Sequence, residues 1–191
     1  MSAEDRGCVD RVLAGKPECF EDLVRRYTQF GGAIAFGILG DFQHAEDVVQ
    51  EAFFKAFRSL SSLKEHDKFR GWFAGIVRSL SIDAVRKQRT RGRLEVGDEQ
   101  LDVLTGADSA RSSRVHVESP VERQEMQREL GRKLMDCISE LPDDYREVVV
   151  LKHMCGFSYK EIAQVSGLSV SAIESRLFRA RQTLRQKLCR A

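Results

Sequence analysis

Asp47 and Glu51 stand four residues apart in HAEDVVQEAFFKAFRSL, residues 44–60, so a helix would put both carboxylates on one face. Paired carboxylates can do acid–base or metal chemistry, but no further ligand-type residue completes a set around them. His153 and Cys155 are the other pair with metal-binding chemistry. No second ligand pair accompanies them, so they read as partly buried helix residues and no metal is expected. The five cysteines (Cys8, Cys19, Cys137, Cys155, Cys189) are scattered, odd in number and never spaced as Cys-x-x-Cys, which suits reduced thiols. No Ser/His/Asp, Cys/His or phosphate-loop constellation stands out, so no catalytic residue and no cofactor is expected. What remains is cation chemistry. Residues 70–93 carry Arg70, Arg78, Arg86, Lys87, Arg89, Arg91 and Arg93 against the single acid Asp83, and residues 176–190 carry six cations and no acid. Such runs bind polyanions.

The elements that must hold these cations are helical. No useful β-alternation appears, whereas apolar residues recur at steps of three and four at both ends of the chain. In SYKEIAQVSGLSVSAIESRLFRARQTLRQKL, residues 158–188, Ser158 with Glu161 and Ser171 with Glu174 have capping-box spacing. Between them, Ser166-Gly167-Leu168-Ser169 supplies the break, with Gly167 suited to a left-handed terminus. Two capped helices around a short glycine turn make a helix-turn-helix. On its second helix Ile173, Leu177, Ala180, Leu184 and Leu188 form the expected core stripe, and Ala172, Ser175, Arg179 and Gln182 the outer side. Small side chains near the start and arginines beyond suit entry into a DNA major groove.

The N-terminal part pairs two unlike surfaces. On residues 44–60, Val49, Ala52, Phe53 and Ala56 form a core stripe, which leaves Asp47, Glu51, Phe54 and Arg58 opposite. An exposed Phe between carboxylates is a candidate anchor for a protein partner. In FRGWFAGIVRSLSIDAVRKQRTR, residues 69–91, Phe69, Trp72, Phe73, Ile76 and Leu80 share one side and read as core, with Arg78, Arg86 and Arg89 elsewhere. Asp83 and Lys87 have the favourable order for a helical ion pair. Cations beside aromatics suit single-stranded nucleic acid.

Charge and composition divide the chain. Residues 1–95 carry 16 basic and 14 acidic side chains, residues 96–125 carry 3 and 7, and residues 126–191 carry 12 and 8. The middle is rich in Gly, Ser and acids and lacks aromatics, which reads as a flexible acidic linker. The expected fold class is therefore all-α: two small helical domains, 1–91 and 121–191, joined by a linker over 92–120. Ala33–Leu39, the longest apolar run, is too short to span a bilayer, and MSAEDRGCVD lacks a signal-peptide core, so a cytoplasmic location is expected.

These segments resemble, in order and spacing, a bacterial RNA polymerase sigma factor of the extracytoplasmic-function (ECF, group IV, sigma-70 family) type. LGDFQHAEDVVQEAFFKAF is similar to region 2.1–2.2, FRGWFAGIVRSLSIDAVRKQ to region 2.3–2.4, and LPDDYREVVVLKHMCGFSYKEIAQVSGLSVSAIESRLFRAR to region 4. The resemblance implies a non-enzymatic promoter-specificity subunit whose partners are core RNA polymerase, promoter DNA and an anti-sigma factor. By that resemblance Asp47, Gln50, Glu51 and Phe54 dock on the β′ clamp helices, and region 4 packs against the β flap. Melted −10 DNA meets the loop residues Ser59, Ser61, Ser62, Lys64 and Lys68 and the helix residues Arg70, Arg78, Ser79, Arg86 and Arg89. The −35 duplex meets Ser171, Ala172, Ser175, Arg176 and Arg179. Trp72 reads as core rather than as a base-stacking side chain. The acids Glu95, Asp98, Glu99, Asp102 and Asp108 would occupy the polymerase's nucleic-acid path. Ser79 stands where the family often has Asn, and Glu174 where a Lys is common, so the resemblance leaves the promoter sequence open. Two other classes compete: a duplex-binding regulator that uses only the helix-turn-helix, and a pure interaction protein that sequesters an inhibitor. The acidic face paired with an aromatic-basic helix argues against the first, and retention of Arg86, Arg176, Arg179 and Trp72 against the second.

Overall fold

Gly40 and Asp41 make the first corner of the chain. Gly40 takes a left-handed φ of 72° and its N–H donates to the Phe36 carbonyl at 2.8 Å, ending α2 (Phe20–Leu39). Asp41 then accepts the His44 N–H at 2.8 Å and starts α3 (Phe42–Ser59). In this computed structural model the backbone of residues 3–95 and 120–188 is described, with side chains for 3–90 and 129–188. The other helices are α1 (Ala3–Leu13), α4 (Phe69–Glu95), α5 (Pro120–Ser139), α6 (Asp143–Val149), α7 (Tyr159–Ser166) and α8 (Val170–Leu188). No strand occurs among the described residues. The all-α expectation therefore holds. α4 continues to Glu95 and α5 begins at Pro120, each slightly inside the expected linker. Asp98, Glu99, Asp102 and Asp108 lie outside the described residues, as does the Glu95 side chain.

The first unit packs α2, α3 and α4 around aromatic side chains. Phe53 of α3 stacks on Phe73 of α4 with centroids 4.6 Å apart. Gly31 permits this approach, since a Cβ there would lie 3.2 Å from Phe73 and 3.3 Å from Val49. α1 is tied on through the buried Asp5, which accepts the Tyr27 hydroxyl at 2.7 Å and pairs with Arg26. In the second unit Leu151, Phe157, Ile162, Ile173, Leu177 and Ala180 are buried between α6, α7 and α8. A π-helical turn, Val150–Met154, follows α6 and is closed by the Cys155 N–H on the Val150 carbonyl at 2.9 Å.

The two units also pack on each other, and their buried residues form one continuous core. Gly37 of α2 meets Val150, where a Cβ would lie 3.1 Å away. Arg146 of α6 is buried and donates to the carbonyls of Gly37 at 3.3 Å and Ile38 at 3.4 Å, the last turn of α2. The carbonyl end of a helix carries partial negative charge, so a guanidinium there is favourable. A Cβ on Gly40 would sit 2.7 Å from that guanidinium, which gives this glycine a second reason for its lack of side chain.

Candidate nucleic-acid interface

α3 builds the surface expected to face a protein. Val49, Ala52, Phe53 and Ala56 are buried, while Asp47, Gln50, Glu51 and Arg58 are exposed on the other side. Phe54 is 69% exposed, so no other part of the described chain covers it. Phe42 and Phe57 are exposed too, each resting one ring face or edge on the core through Phe36 and Phe20. The sequence reading missed these two. The signal was available, because a single core stripe has no room for every Phe of FQHAEDVVQEAFFKAF.

The expected base-capture loop, 59–68, is two 3₁₀ turns pinned by the buried Leu60 and Leu63. The Ser59 hydroxyl donates to the Lys55 carbonyl and the Ser62 hydroxyl to the Ser59 carbonyl, both at 2.7 Å, so both shape the loop. Ser61 and Lys64 are exposed. Lys68 bonds Glu65 at 2.6 Å, and this hydrogen bond raises the Lys68 pKa. A cleft of about 580 Å3 opens beside the loop, lined by Ser62, Lys64, Arg70 and Trp72 and, from the second unit, by Phe157, Glu161 and Gln164. Trp72 is half-buried against Phe69 and faces this cleft, so it is neither fully core nor free.

Along α4 the buried line is Phe69, Phe73, Ala74, Val77 and Ser81, with Ile76 and Leu80 only half-buried. The expected stripe is thus rotated toward Val77, because the second unit covers part of the helix as well. The expected Asp83–Lys87 pair is replaced by Asp83–Arg86 at 3.8 Å. Ser79, Arg86 and Arg89 are exposed. Arg70 and Arg78 are held. Arg70 lies over the Phe30 and Phe157 rings at 5.0 and 4.5 Å and donates to the Cys155 carbonyl. Arg78 donates to Glu147 at 2.7 Å, with side chains 23% and 12% exposed. Arg89 approaches Asp143 at 3.5 Å.

In the helix-turn-helix the Ser158–Glu161 capping box is formed. The Ser158 hydroxyl accepts the Glu161 N–H at 3.3 Å, and the Ser158 N–H donates to Glu161 Oε2 at 2.8 Å. Hydrogen bonding from the Ser158 side chain, then from its backbone, holds the Glu161 carboxyl below its ordinary pKa. Gly167 is left-handed at φ 74°. The second cap differs from expectation. Ser169, not Ser171, accepts the Ala172 N–H at 3.2 Å, so α8 starts earlier and Ser171 lies in its first turn. Ile173, Leu177 and Ala180 are buried as expected, Leu184 is half-buried, and Leu188 is exposed because it lies near the end of the packed stretch. Ser171, Ser175 and Arg179 are exposed and Ala172 half-buried, while Arg176 is drawn to Asp144 at 3.4 Å. Phe178, 62% exposed, was overlooked between the core position Leu177 and Arg179. His153 is exposed and Cys155 buried, its thiol pushed up to about 12 by burial, and no three-residue metal-ligand group occurs among the described residues.

Sequence comparison places both units. The family model "Sigma-70 region 2" matches residues 23–91, and "Sigma-70, region 4" matches residues 131–184. The chain is 30% identical over 186 residues to the RNA polymerase sigma-H factor of Pseudomonas aeruginosa, covering 97% of this chain and 94% of that one. It is 29% identical over 180 residues to the ECF RNA polymerase sigma factor SigW of Bacillus subtilis, covering 94% of each. Among solved structures, CnrH in complex with the cytosolic domain of CnrY aligns with a TM-score of 0.60 and 27% identity over 97% of both chains. The sigma factor RpoE in complex with the anti-sigma factor NepR from Bartonella quintana shares the fold, with a TM-score of 0.62, 23% identity, and 88% and 96% coverage. The chain belongs to the sigma-70 family of RNA polymerase sigma factors, in the extracytoplasmic-function group.

Proposed function

We propose that this sigma factor divides promoter recognition between its two helical units, 1–91 and 121–191, with 92–120 as the tether. The observation that carries this reading is the ordered pair of family matches, region 2 over 23–91 and region 4 over 131–184. The first unit docks on the β′ clamp helices through Asp47, Gln50, Glu51 and Phe54. An aromatic anchor gives the affinity and the flanking carboxylates fix its orientation. The loop at Ser59, Ser61, Ser62, Lys64 and Lys68 receives an unstacked −10 base, and Arg70, Arg78, Ser79, Arg86 and Arg89 follow the strand. Unstacking a base costs a few kcal/mol, offset by the pocket and by phosphate pairing. The second unit meets the β flap and sets Ser171, Ala172, Ser175, Arg176 and Arg179 in the −35 major groove. Sigma factors supply specificity rather than chemistry, so we assign this chain no catalytic step and no cofactor. No helix among the described residues is long and apolar enough to cross a membrane. We place the protein in the cytoplasm with its polymerase. CnrH is a relative in complex with the cytosolic domain of CnrY, and we infer from membership of the extracytoplasmic-function group that an anti-sigma factor controls this chain.

Run-off transcription with purified core polymerase on genomic DNA tests the proposal. Discrete start sites that depend on this chain are expected. Failure to bind polymerase, or initiation without specific starts, would overturn it.

A further inference from the structure

The first helix of the chain, α1, touches the loop assigned to the −10 base, and both 3₁₀ turns of that loop pack against it. Leu60 and Leu63 are buried and fix the start of the loop, and the buried Phe69 fixes its end. Residues 64–68 between them bury no side chain. Here His66 reaches out: its Nδ1 lies 2.5 Å from Asp10 Oδ1 of α1, 56 residues away in sequence. Among the described residues, the loop's other hydrogen-bonding side chains stay within it or reach the adjoining α3, Ser59 to Lys55, Ser62 to Ser59 and Lys68 to Glu65. α1 is itself fixed on α2. Its buried Asp5 accepts the Tyr27 hydroxyl at 2.7 Å and pairs with Arg26, which also meets Glu4 at 3.2 Å. Asp5 and Val9, four apart, are buried, whereas Arg6 and Asp10, also four apart, are exposed and pair at 3.8 Å. The region 2 match begins at residue 23, so α1 lies outside it.

We propose that α1 positions the −10 loop, with Asp10 and His66 holding residues 64–68 in the shape that receives an unstacked base. This builds on the reading that assigns the loop to that base. Asp10 and His66 are positioning residues: they act through the loop, which carries Lys64 and Lys68 to the base, and touch no DNA themselves. A receiving pocket binds in proportion to the fraction of molecules that already have its shape. A hydrogen bond from a helix anchored elsewhere raises that fraction, because the loop end cannot drift without breaking it. There is room for such drift. A crevice of about 360 Å3 lies between α1 and the loop, lined by Arg6, Asp10, Lys64 and Asp67. The carboxylates of Asp10, Glu65 and Asp67 on its walls make it a poor phosphate site, so Arg6 and Lys64 do not recommend it as a second DNA contact.

Fork-junction DNA titrated with preformed holoenzyme tests this without entering the affinity for core polymerase. The forks carry an abasic residue at each −10 position in turn, and fluorescence anisotropy reports binding. Wild-type holoenzyme should lose about 30-fold at the captured position, where stacking and pocket contacts vanish with the base. Asp10→Ala holoenzyme should bind the intact fork about 10-fold more weakly and lose only about 3-fold more when that base is removed, so that both bind the abasic fork alike. His66→Ala should behave in the same way, and the double variant should be no weaker than either single one. Asp10 is exposed and the packing of α1 rests on Asp5, Cys8 and Val9, so Asp10→Ala should keep the wild-type denaturant midpoint. A variant that merely loosened the fold would weaken every fork alike, abasic or intact. Full base sensitivity in Asp10→Ala, uniform weakening on all forks, or losses that multiply in the double variant overturn the proposal and leave the loop's assignment standing. If no abasic position weakens the wild-type holoenzyme, the assignment of the loop to a −10 base falls, and the role of α1 with it.

Discussion

The face assigned to polymerase and the faces assigned to DNA differ in how the folded chain treats them. On α3, Phe54 is 69% exposed between carboxylates that point to solvent, ready for a partner. On α4 and α8, Arg70, Arg78, Arg89 and Arg176 are each engaged by a carbonyl or carboxylate of the second unit. A protein-docking surface can stand open at little cost when its aromatic group is small and flanked by charge. A cationic DNA face left open binds any nucleic acid, and in a cell most of that is the wrong sequence. The engagement is partial, since Arg86 and Arg179 on the same two helices are exposed.

Adjacent residues on α3 give the strongest way to break this comparison. Phe53 is buried and stacked on Phe73, so Phe53→Ala should cost about 4 kcal/mol of stability in urea unfolding. The next largest effect falls on Arg146. Arg146→Met leaves carbonyls of Gly37, Ser139 and Leu141 without their cation, and a loss of about 3 kcal/mol is expected in the same assay. An equal loss in an isolated second unit would show that Arg146 serves only its own fold. Phe54→Ala should leave stability within about 0.5 kcal/mol of wild type. It should weaken binding to core polymerase by about 2 kcal/mol, roughly 30-fold, in a titration with labelled sigma. Unchanged affinity would remove the docking face. Arg176→Ala should weaken −35 duplex binding about 10-fold and leave polymerase affinity alone. If affinity for polymerase fell with it, α8 would be a protein surface instead.

Much of this arrangement was legible in the residues. The two units, the acidic face of α3 and the first capping box follow from periodicity and spacing, which are local. Two readings failed, and one set of contacts lay beyond any local reading. The buried line of α4 was taken as Trp72, Ile76 and Leu80 with Phe69 and Phe73, but a second covering surface shifts it to Val77 and Ser81. The α8 cap was set at Ser171, yet Ser169 serves it. The contacts of Asp143, Arg146 and Glu147 with the first unit are invisible locally: Arg89, Gly37 and Arg78 lie 54 to 109 residues away, although Arg146 also meets Asp143, Ser139 and Leu141 close by. Helical periodicity reports which side of an element is covered, and is silent on which distant helix covers it.

The smallest predicted effect tests the helix-turn-helix alone, where nothing from the first unit is expected to matter. Ser158→Ala removes the hydroxyl that accepts the Glu161 N–H and should cost about 1 kcal/mol of stability at neutral pH. The loss should depend on pH in a definite direction. The Glu161 pKa is depressed in the folded chain from an ordinary value of 4.5, first by the Ser158 side chain and then by its backbone N–H. A depressed carboxyl pKa stabilises the fold fully above the unfolded value, and that contribution fades as pH falls through the folded value. The gap between wild type and Ser158→Ala should therefore be widest above pH 4.5 and narrow below it, leaving only the uncharged part of the cap. Denaturant midpoints measured from pH 7 down to 3 give the profile. A gap that stays constant would mean that Glu161 does not share its proton equilibrium with the cap. A gap that widened in acid would reverse the sign and exclude the capping box as the source of the shift.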